Sequence, residues 1–207
     1  MLSKTLLNRL TLIASGLLLL AGLTSSPSSH AKEERAIFAG GCFWCMEPPF
    51  DALDGVISTT SGYTDGSKKN PTYREVSAGT TGHTEAIEIV YDAEIISYKT
   101  LLDVFWVNVD PFAINRQFCD IGSQYRSGIY PLNDEQSRLA KLSKAEHQQN
   151  FNQKIQTEIK LASTFYPAED YHQDYYMKNP IRYTFYRNSC GRDNRLKDVW
   201  GDKFNKH

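Results

Sequence analysis

The sequence predicts an α+β fold in which helices cover one mixed sheet. Three observations carry that expectation. Segments with strand periodicity alternate with segments of helical period, so both element types share one chain. Some strand-like segments follow one another with only a loop between, which a purely parallel sheet does not allow. Residues 32–207 contain no internal repeat, low-complexity tract or linker, and read as one domain of a size that supports a full core.

The elements follow in order. Arg35 to Ala39 is a short apolar run closing on Gly40-Gly41, a buried strand ending in a glycine turn, with helical spacing from near Cys42. Gly55 to Tyr63 is rich in β-branched residues and reads as a second strand. Asp65-Gly66 to Asn70-Pro71 is loop, with Asn70 and Pro71 placed to cap and start a short helix. His83 to Tyr91 alternates apolar and polar residues, the period of a half-buried strand.

Ser97 is expected to N-cap a helix whose core face carries Leu101, Leu102, Phe105, Trp106 and Val109, and Asp110-Pro111 ends it. Tyr125 to Tyr130 is a further strand. Asn133 with Gln136 resembles a capping box opening a long polar helix to about Asn152. Ile155 to Leu161 is another candidate strand. The tyrosine-rich tail from Ala168 is helical in patches, ending in Leu196 to Trp200.

Residues 1–31 order two cations, Lys4 and Arg9, an apolar run from Leu10 to Leu23 and a small-residue stretch ending Ser29-His30-Ala31. That is the order of a secretory signal, and cleavage is expected before Lys32. The apolar run is short for a bilayer span, which needs roughly 20 residues; an uncleaved membrane anchor is the alternative. Export to the periplasm is the expectation. Leaving out Lys4 and Arg9 takes 23 cations to 21, against 24 anions, a net charge of minus three. Without a basic stripe the electrostatic footprint of nucleic-acid binding is missing, so no nucleic-acid partner is expected.

All four cysteines, Cys42, Cys45, Cys119 and Cys190, fall after the signal region. An even count in an exported chain ordinarily suggests structural bridges. Cys42, however, follows a strand and a double-glycine turn, where a helix would begin and its free N–H groups and macrodipole favour an anion. A cysteine so placed is expected to have a lowered pKa and to be a nucleophilic thiolate. Pro48 and Pro49 interrupt any helix running through Cys42, so either that helix is kinked or its regular part starts later. Cys42-Phe43-Trp44-Cys45 is also a CxxC, which leaves open a thioredoxin-like thiol-disulfide oxidoreductase working through Cys42 and Cys45. The aromatic pair between the cysteines suits an apolar floor for a methyl group.

Five segments closely resemble the A-type peptide methionine sulfoxide reductases. They are Gly40-Gly-Cys-Phe-Trp-Cys-Met-Glu47, Asn70-Pro-Thr-Tyr-Arg-Glu-Val76, Thr81-Gly-His-Thr-Glu-Ala86, Gly122-Ser-Gln-Tyr-Arg-Ser127 and Ala168-Glu-Asp-Tyr-His-Gln173, in the family's order. The resemblance implies a two-layer α-β sandwich with a ferredoxin-like core, and reduction of the S epimer of methionine sulfoxide, free or in proteins. It implies Cys42 as the attacking thiolate, Glu85 as the acid that protonates the sulfoxide oxygen, Tyr73 and Tyr125 as phenols that hold that oxygen, and Asp120 as an acidic neighbour. Phe43 and Trp44 match the cage for the methyl group.

The chemistry is consistent with that division of labour. Sulfoxide sulfur is a poor electrophile until its oxygen takes a proton, so a carboxyl that is still protonated at neutral pH is needed, and burial provides one. Glu85 shares strand parity with Ile87, Ile89 and Tyr91, and is buried if that face is. Attack leaves Cys42 as a sulfenic acid, which a second thiol must condense with. Cys45 and Cys190 are equal candidates for resolving or recycling, with Cys119 behind them. No bound cofactor or metal is expected, since His83 and His172 form no ligand pair. Electrons are expected from an external dithiol, thioredoxin-like or membrane-linked, acting on a monomer. Asp170, His172 and Asp174 read as groups framing the site.

Overall fold

The computed structural model describes residues 32–204; the signal-peptide expectation lies outside the described residues. Among the described residues there are eight strands: β1 Glu33–Gly40, β2 Val56–Thr64, β3 Thr84–Asp92, β4 Arg116–Gln117, β5 Asp120–Ile121, β6 Ser127–Ile129, β7 Glu158–Ile159 and β8 Tyr166–Pro167. The helices are α1 Glu47–Asp51, α2 Tyr73–Ser77, α3 Tyr98–Val107, α4 Asp134–Gln148, α5 Tyr175–Lys178, α6 Pro180–Ser189 and α7 Arg192–Trp200. The main sheet runs β7-β6-β1-β3-β2-β8, while β4 and β5 pair separately.

The four central strands, β6-β1-β3-β2, are antiparallel, and only the β6–β7 pair is parallel, which makes the sheet mixed. With α1 between β1 and β2 and α3 between β3 and β6, the core is a ferredoxin-like β-α-β-β-α-β unit. One face of the sheet carries Ala36, Phe38, Ile87, Ile89 and Tyr91 into the main core, against Phe50 of α1, Leu101, Leu102, Phe105 and Trp106 of α3, Ala140 of α4 and Leu196 of α7. The other face buries Ile37, Ala39, Ala86 and Tyr130 under Ala162 and Phe165. β1 and β3 are therefore buried on both faces near the end that leads to Cys42, and β3 is not the half-exposed strand its alternation suggested. Helices on one face and irregular chain on the other make a two-layer α+β fold.

Side-chain caps account for the starts of α2, α3 and α4. Ser97 accepts from the Thr100 N–H at 3.1 Å and Asn133 Oδ1 from the Gln136 N–H at 2.9 Å, as the sequence indicates. The Gln136 side chain reaches back to the Leu132 N–H rather than to that of Asn133, so the box there is not reciprocal. The reciprocal box belongs to α2, where Thr72 and Glu75 cap each other's N–H groups. The expected cap at Asn70 is corrected: Asn70 lies at φ 48°, a left-handed turn, and α2 begins three residues later.

Candidate active site

The antiparallel register brings the reacting groups together. Phe38 of β1 faces Ile87 of β3, so two residues further along β1 comes level with Glu85, and the chain turns there into Cys42. Tyr63 of β2 pairs with Glu85 from the other side. The turn requires its glycines. A Cβ on Gly40 would lie 2.4 Å from Met46 Sδ, and Gly41 has φ +82° with Gln117 against it.

Cys42 caps a three-residue 3-10 turn, Phe43–Cys45, and regular helix begins only at Glu47, where Pro48 and Pro49 sit harmlessly in the first turn. The free N–H of Phe43 does not serve the Cys42 sulfur; it donates to Glu85 Oε2 at 3.1 Å. Glu85 is 2 % exposed. Its burial raises the carboxyl to about 8 against the effect of that hydrogen bond, with Asp120 and Cys45 adding repulsion. A carboxyl in this state is largely protonated at neutral pH.

The two cysteines of the turn are both free and buried. Burial pushes the Cys42 thiol well above its ordinary range, and hydrogen bonding to Cys45 and the nearness of Cys45, Glu85 and Asp120 push it the same way. Cys45 goes the other way. The hydrogen bond from Cys42, helped by Arg192 and Arg187, lowers it to about 6 in spite of burial. The lowered pKa expected at Cys42 is thus corrected: burial and the neighbouring acids raise that thiol, and of the two hydrogen-bonded sulfurs it is Cys45 that is shifted toward the anion. A single 3-10 turn supplies little dipole, its first N–H is committed to Glu85, and the cations lie on the Cys45 side.

Cys42, Phe43, Trp44, Tyr73, Glu85, Asp120, Tyr125 and Tyr186 line one small cavity of about 60 Å³. Among them are all the catalytic and substrate-binding residues singled out in the sequence. Tyr73 is the first residue of α2, and its N–H donates to Glu169 Oε1 at 2.8 Å. Tyr125 ends a 3-10 turn, Ser123–Tyr125, that is set by Gly122 at φ 138°. Burial, followed by repulsion from Glu85, raises both phenols, Tyr73 to about 12, so both stay neutral donors. Trp44 donates from Nε1 to His172 Nδ1 at 3.0 Å and stacks on Tyr175 at 3.8 Å. The His172 ring lies 5.1 Å from Phe43 and 4.2 Å from Tyr73, which fixes the aromatic wall.

Other residues of the site were not legible. Tyr186 of α6 lines the cavity and donates to Asp120 Oδ2 at 2.5 Å; nothing in its local sequence separates it from its tyrosine neighbours. Arg192, 1 % exposed, donates from Nη2 to Asn108 O at 2.7 Å and reaches Gly40 O at 3.3 Å, beneath the turn that carries Cys42. Cys119 and Cys190 form a disulfide, which takes Cys190 out of reach of Cys42 as a free thiol. His83 and His172 are engaged apart, His83 Nε2 with Lys68 O at 2.7 Å and His172 with Trp44. The closest group of potential metal ligands among the described residues is Cys119, Asp120 and Cys190, whose two sulfurs are bonded to each other.

Comparison with known proteins converges on one family. A family model described as peptide methionine sulfoxide reductase matches residues 34–204. The chain is 48 % identical over 174 residues to the peptide methionine sulfoxide reductase MsrA of Bacillus licheniformis, covering 83 % of this chain and 96 % of that one. Among solved structures it is similar to reduced Mxr1 from Saccharomyces cerevisiae, with TM-score 0.69 and 34 % identity over 72 % of this chain and 87 % of that one. It is also similar to Mxr1 in complex with Trx2, with TM-score 0.51 and 25 % identity over 73 % and 91 % of the two chains.

Proposed function

This chain belongs to the A-type peptide methionine sulfoxide reductase family and reduces methionine sulfoxide to methionine, and we propose the following roles for its residues. Cys42 attacks the sulfoxide sulfur, Glu85 protonates the departing oxygen, and Tyr73 and Tyr125 hold that oxygen by their O–H groups. Phe43 and Trp44 enclose the methyl end. One observation carries the reading: Glu85, kept protonated by burial, is hydrogen-bonded to the same turn that begins at Cys42, inside a cavity lined by two neutral phenols. A cavity of about 60 Å³ suits the end of a thioether and not a polypeptide disulfide, which disfavours the oxidoreductase alternative.

The protons balance. As Cys42 attacks, its proton passes to the Cys45 thiolate; Glu85 supplies a proton to the oxygen, methionine leaves, and Cys42 holds the oxygen as a sulfenic acid. Cys45 then displaces that oxygen, giving the Cys42–Cys45 disulfide and one water, whose hydrogens derive from Glu85 and from the original Cys42 thiol. Cys45 is the resolving residue because it is the free thiol already hydrogen-bonded to Cys42, while Cys190 is held by Cys119. Two electrons from an external dithiol reopen the disulfide; the yeast Mxr1–Trx2 complex supports a thioredoxin-type donor. Export, cleavage before Lys32, a membrane-linked source of electrons and action as a monomer complete the proposal. The order of charges and apolar residues in residues 1–31 and the presence of a surface cystine support export.

The test is chemical. Cys42→Ser is expected to lose all sulfoxide reduction, and Cys45→Ser, which also lacks the acceptor of the Cys42 proton, to release one methionine per chain more slowly and leave a trappable sulfenic acid on Cys42. Peptide mapping of the wild type after one turnover should find Cys42 joined to Cys45. A Cys42–Cys190 link would overturn the assignment of the resolving thiol, and turnover by Cys42→Ser would overturn the whole scheme.

A further inference from the structure

The Cys119–Cys190 cystine has no part in the scheme above, yet it joins the two segments that complete the cavity from outside the sheet. Cys119 precedes Asp120, and Cys190 lies one helical turn beyond Tyr186. Three contacts run in sequence between these segments. The Arg192 guanidinium sits 4.4 Å over the Phe118 ring, Cys119 is bonded to Cys190, and Tyr186 donates to Asp120 at 2.5 Å. As residue numbers rise along one segment, from 118 to 120, they fall along the other, from 192 to 186, in the manner of a zipper.

The first segment has little to hold it in place by itself. β4 and β5 are two residues each, joined through Phe118 and Cys119, and a lone two-stranded hairpin is marginal in water. Phe118 sits at φ 52°, a left-handed conformation that is unfavourable for an aromatic residue. The base of the hairpin is anchored, since the buried Gln117 amide bonds the Asp110 backbone through both its oxygen and its nitrogen. At the tip Phe118 packs against the main core, while Cys119 is exposed. Asp120 stands level with the anchored Gln117, and its carboxyl is held from the outside by the C-terminal segment, through Tyr186.

We propose that the Cys119–Cys190 cystine is a positioning element of the active site, holding Asp120 and Tyr186 together against the cavity that contains Cys42, so that opening it slows the sulfoxide-reducing step itself. The proposal rests on the reading that Cys42 is the nucleophile of that cavity. The cystine touches no substrate; it acts through the Asp120–Tyr186 hydrogen bond.

The wild-type protein supplies the test in two forms, so no folding variant is required. One carries two titratable thiols, with the cystine closed. The other carries four, after a dithiol reagent has given two electrons and two protons to the cystine and itself closed to a disulfide. Each form, freed of reagent, is mixed with methionine sulfoxide, and the rate of the first methionine released per chain is followed by quenched flow. The four-thiol form is expected to be slower by roughly tenfold, the scale on which misplacement of a supporting group acts. In Tyr186→Phe the closed form should be slowed by a similar factor and the difference between the two forms should vanish, because the contact through which the cystine acts is gone. A structural role elsewhere would leave that difference intact, and its persistence would overturn the proposal. Equal rates in the two wild-type forms would overturn it as well. Equal rates with a second methionine from the four-thiol form would further show the pair to be an electron relay. Failure of the two-thiol wild type to release any methionine would instead break the underlying reading of Cys42.

Discussion

The two cysteine pairs of this molecule have the same atoms and opposite surroundings. Cys42 and Cys45 are three residues apart in one tight turn, buried, unbridged, and set between carboxyls on one side and arginines on the other. Cys119 and Cys190 are 71 residues apart, bridged, and placed where the chain meets solvent. In the inner pair burial raises the cost of charge at Cys42, while the hydrogen bond from Cys42, helped by Arg192 and Arg187, favours it at Cys45. In the outer pair there is no such enclosure, and the bond's effect is mechanical. Reactivity in a cysteine follows from its neighbours, not from the spacing of the motif.

The largest expected effect breaks the inner region alone. Glu85→Gln keeps an oxygen to accept from Phe43 N–H but has no proton to give, so kcat/KM is expected to fall by about 10²–10⁴, the usual range for loss of a general acid. Alkylation of Cys45 should continue in that variant. The wild type should show a matching pH limb. Glu85 is a working acid while protonated, so activity is expected to decline as pH rises through about 8, and the Gln variant should lack that decline. A pH–rate profile in which wild type and variant run parallel would remove the acid from Glu85.

The outer region should show its effect on stability. A cross-link closing 71 residues restricts the unfolded chain by an amount that corresponds to roughly 4 kcal/mol. Cys119→Ser/Cys190→Ser is therefore expected to unfold at distinctly lower urea concentration. Joining Cys42 to Cys45 closes almost no loop, and Cys45→Ser should unfold close to the wild type. Equal unfolding midpoints for the double variant and the wild type would show that the outer bond constrains nothing.

The same division separates what the sequence discloses from what it does not. β1, β3 and α3 were legible because a period or a cap marks them: the parity of Glu85 with Ile87, Ile89 and Tyr91 places it on the main-core side, and Ser97 starts α3 where it should. Tyr125 to Tyr130 and Ile155 to Leu161 were read too long, and shrink to Ser127–Ile129 and Glu158–Ile159, because their apolar content reflects packing and not extended pairing. The β4–β5 hairpin is too short to carry any period, and Tyr186 reaches Asp120 across 66 residues of chain. The raised Cys42 thiol escapes the sequence for the same reason: the burial that raises it is tertiary, and the arginines that help lower Cys45 arrive from α6 and α7, far away in sequence.

The smallest effect tests that last point directly. Arg187, 3 % exposed, packs among the aromatic groups around Cys45, with its Nε bonded to Asp193 at 2.8 Å and Nη1 to the Tyr183 hydroxyl at 3.1 Å. Its positive charge favours the Cys45 thiolate. Arg187→Met keeps most of the aliphatic stem's packing and removes the charge, so the Cys45 pKa should rise from about 6 by about one unit. Thiolate absorbance followed against pH in the reduced protein should move upward by that amount, while Cys42, whose charge is suppressed by burial first, should scarcely respond. The shift roughly halves the thiolate present at pH 7, so both the attack in which Cys45 takes the Cys42 proton and the resolution of the sulfenic acid should slow about twofold. An unmoved absorbance profile would mean that the hydrogen bond from Cys42 alone keeps the anion on Cys45. The arginines would then owe their burial to holding α6 and α7 beneath the Cys42 turn.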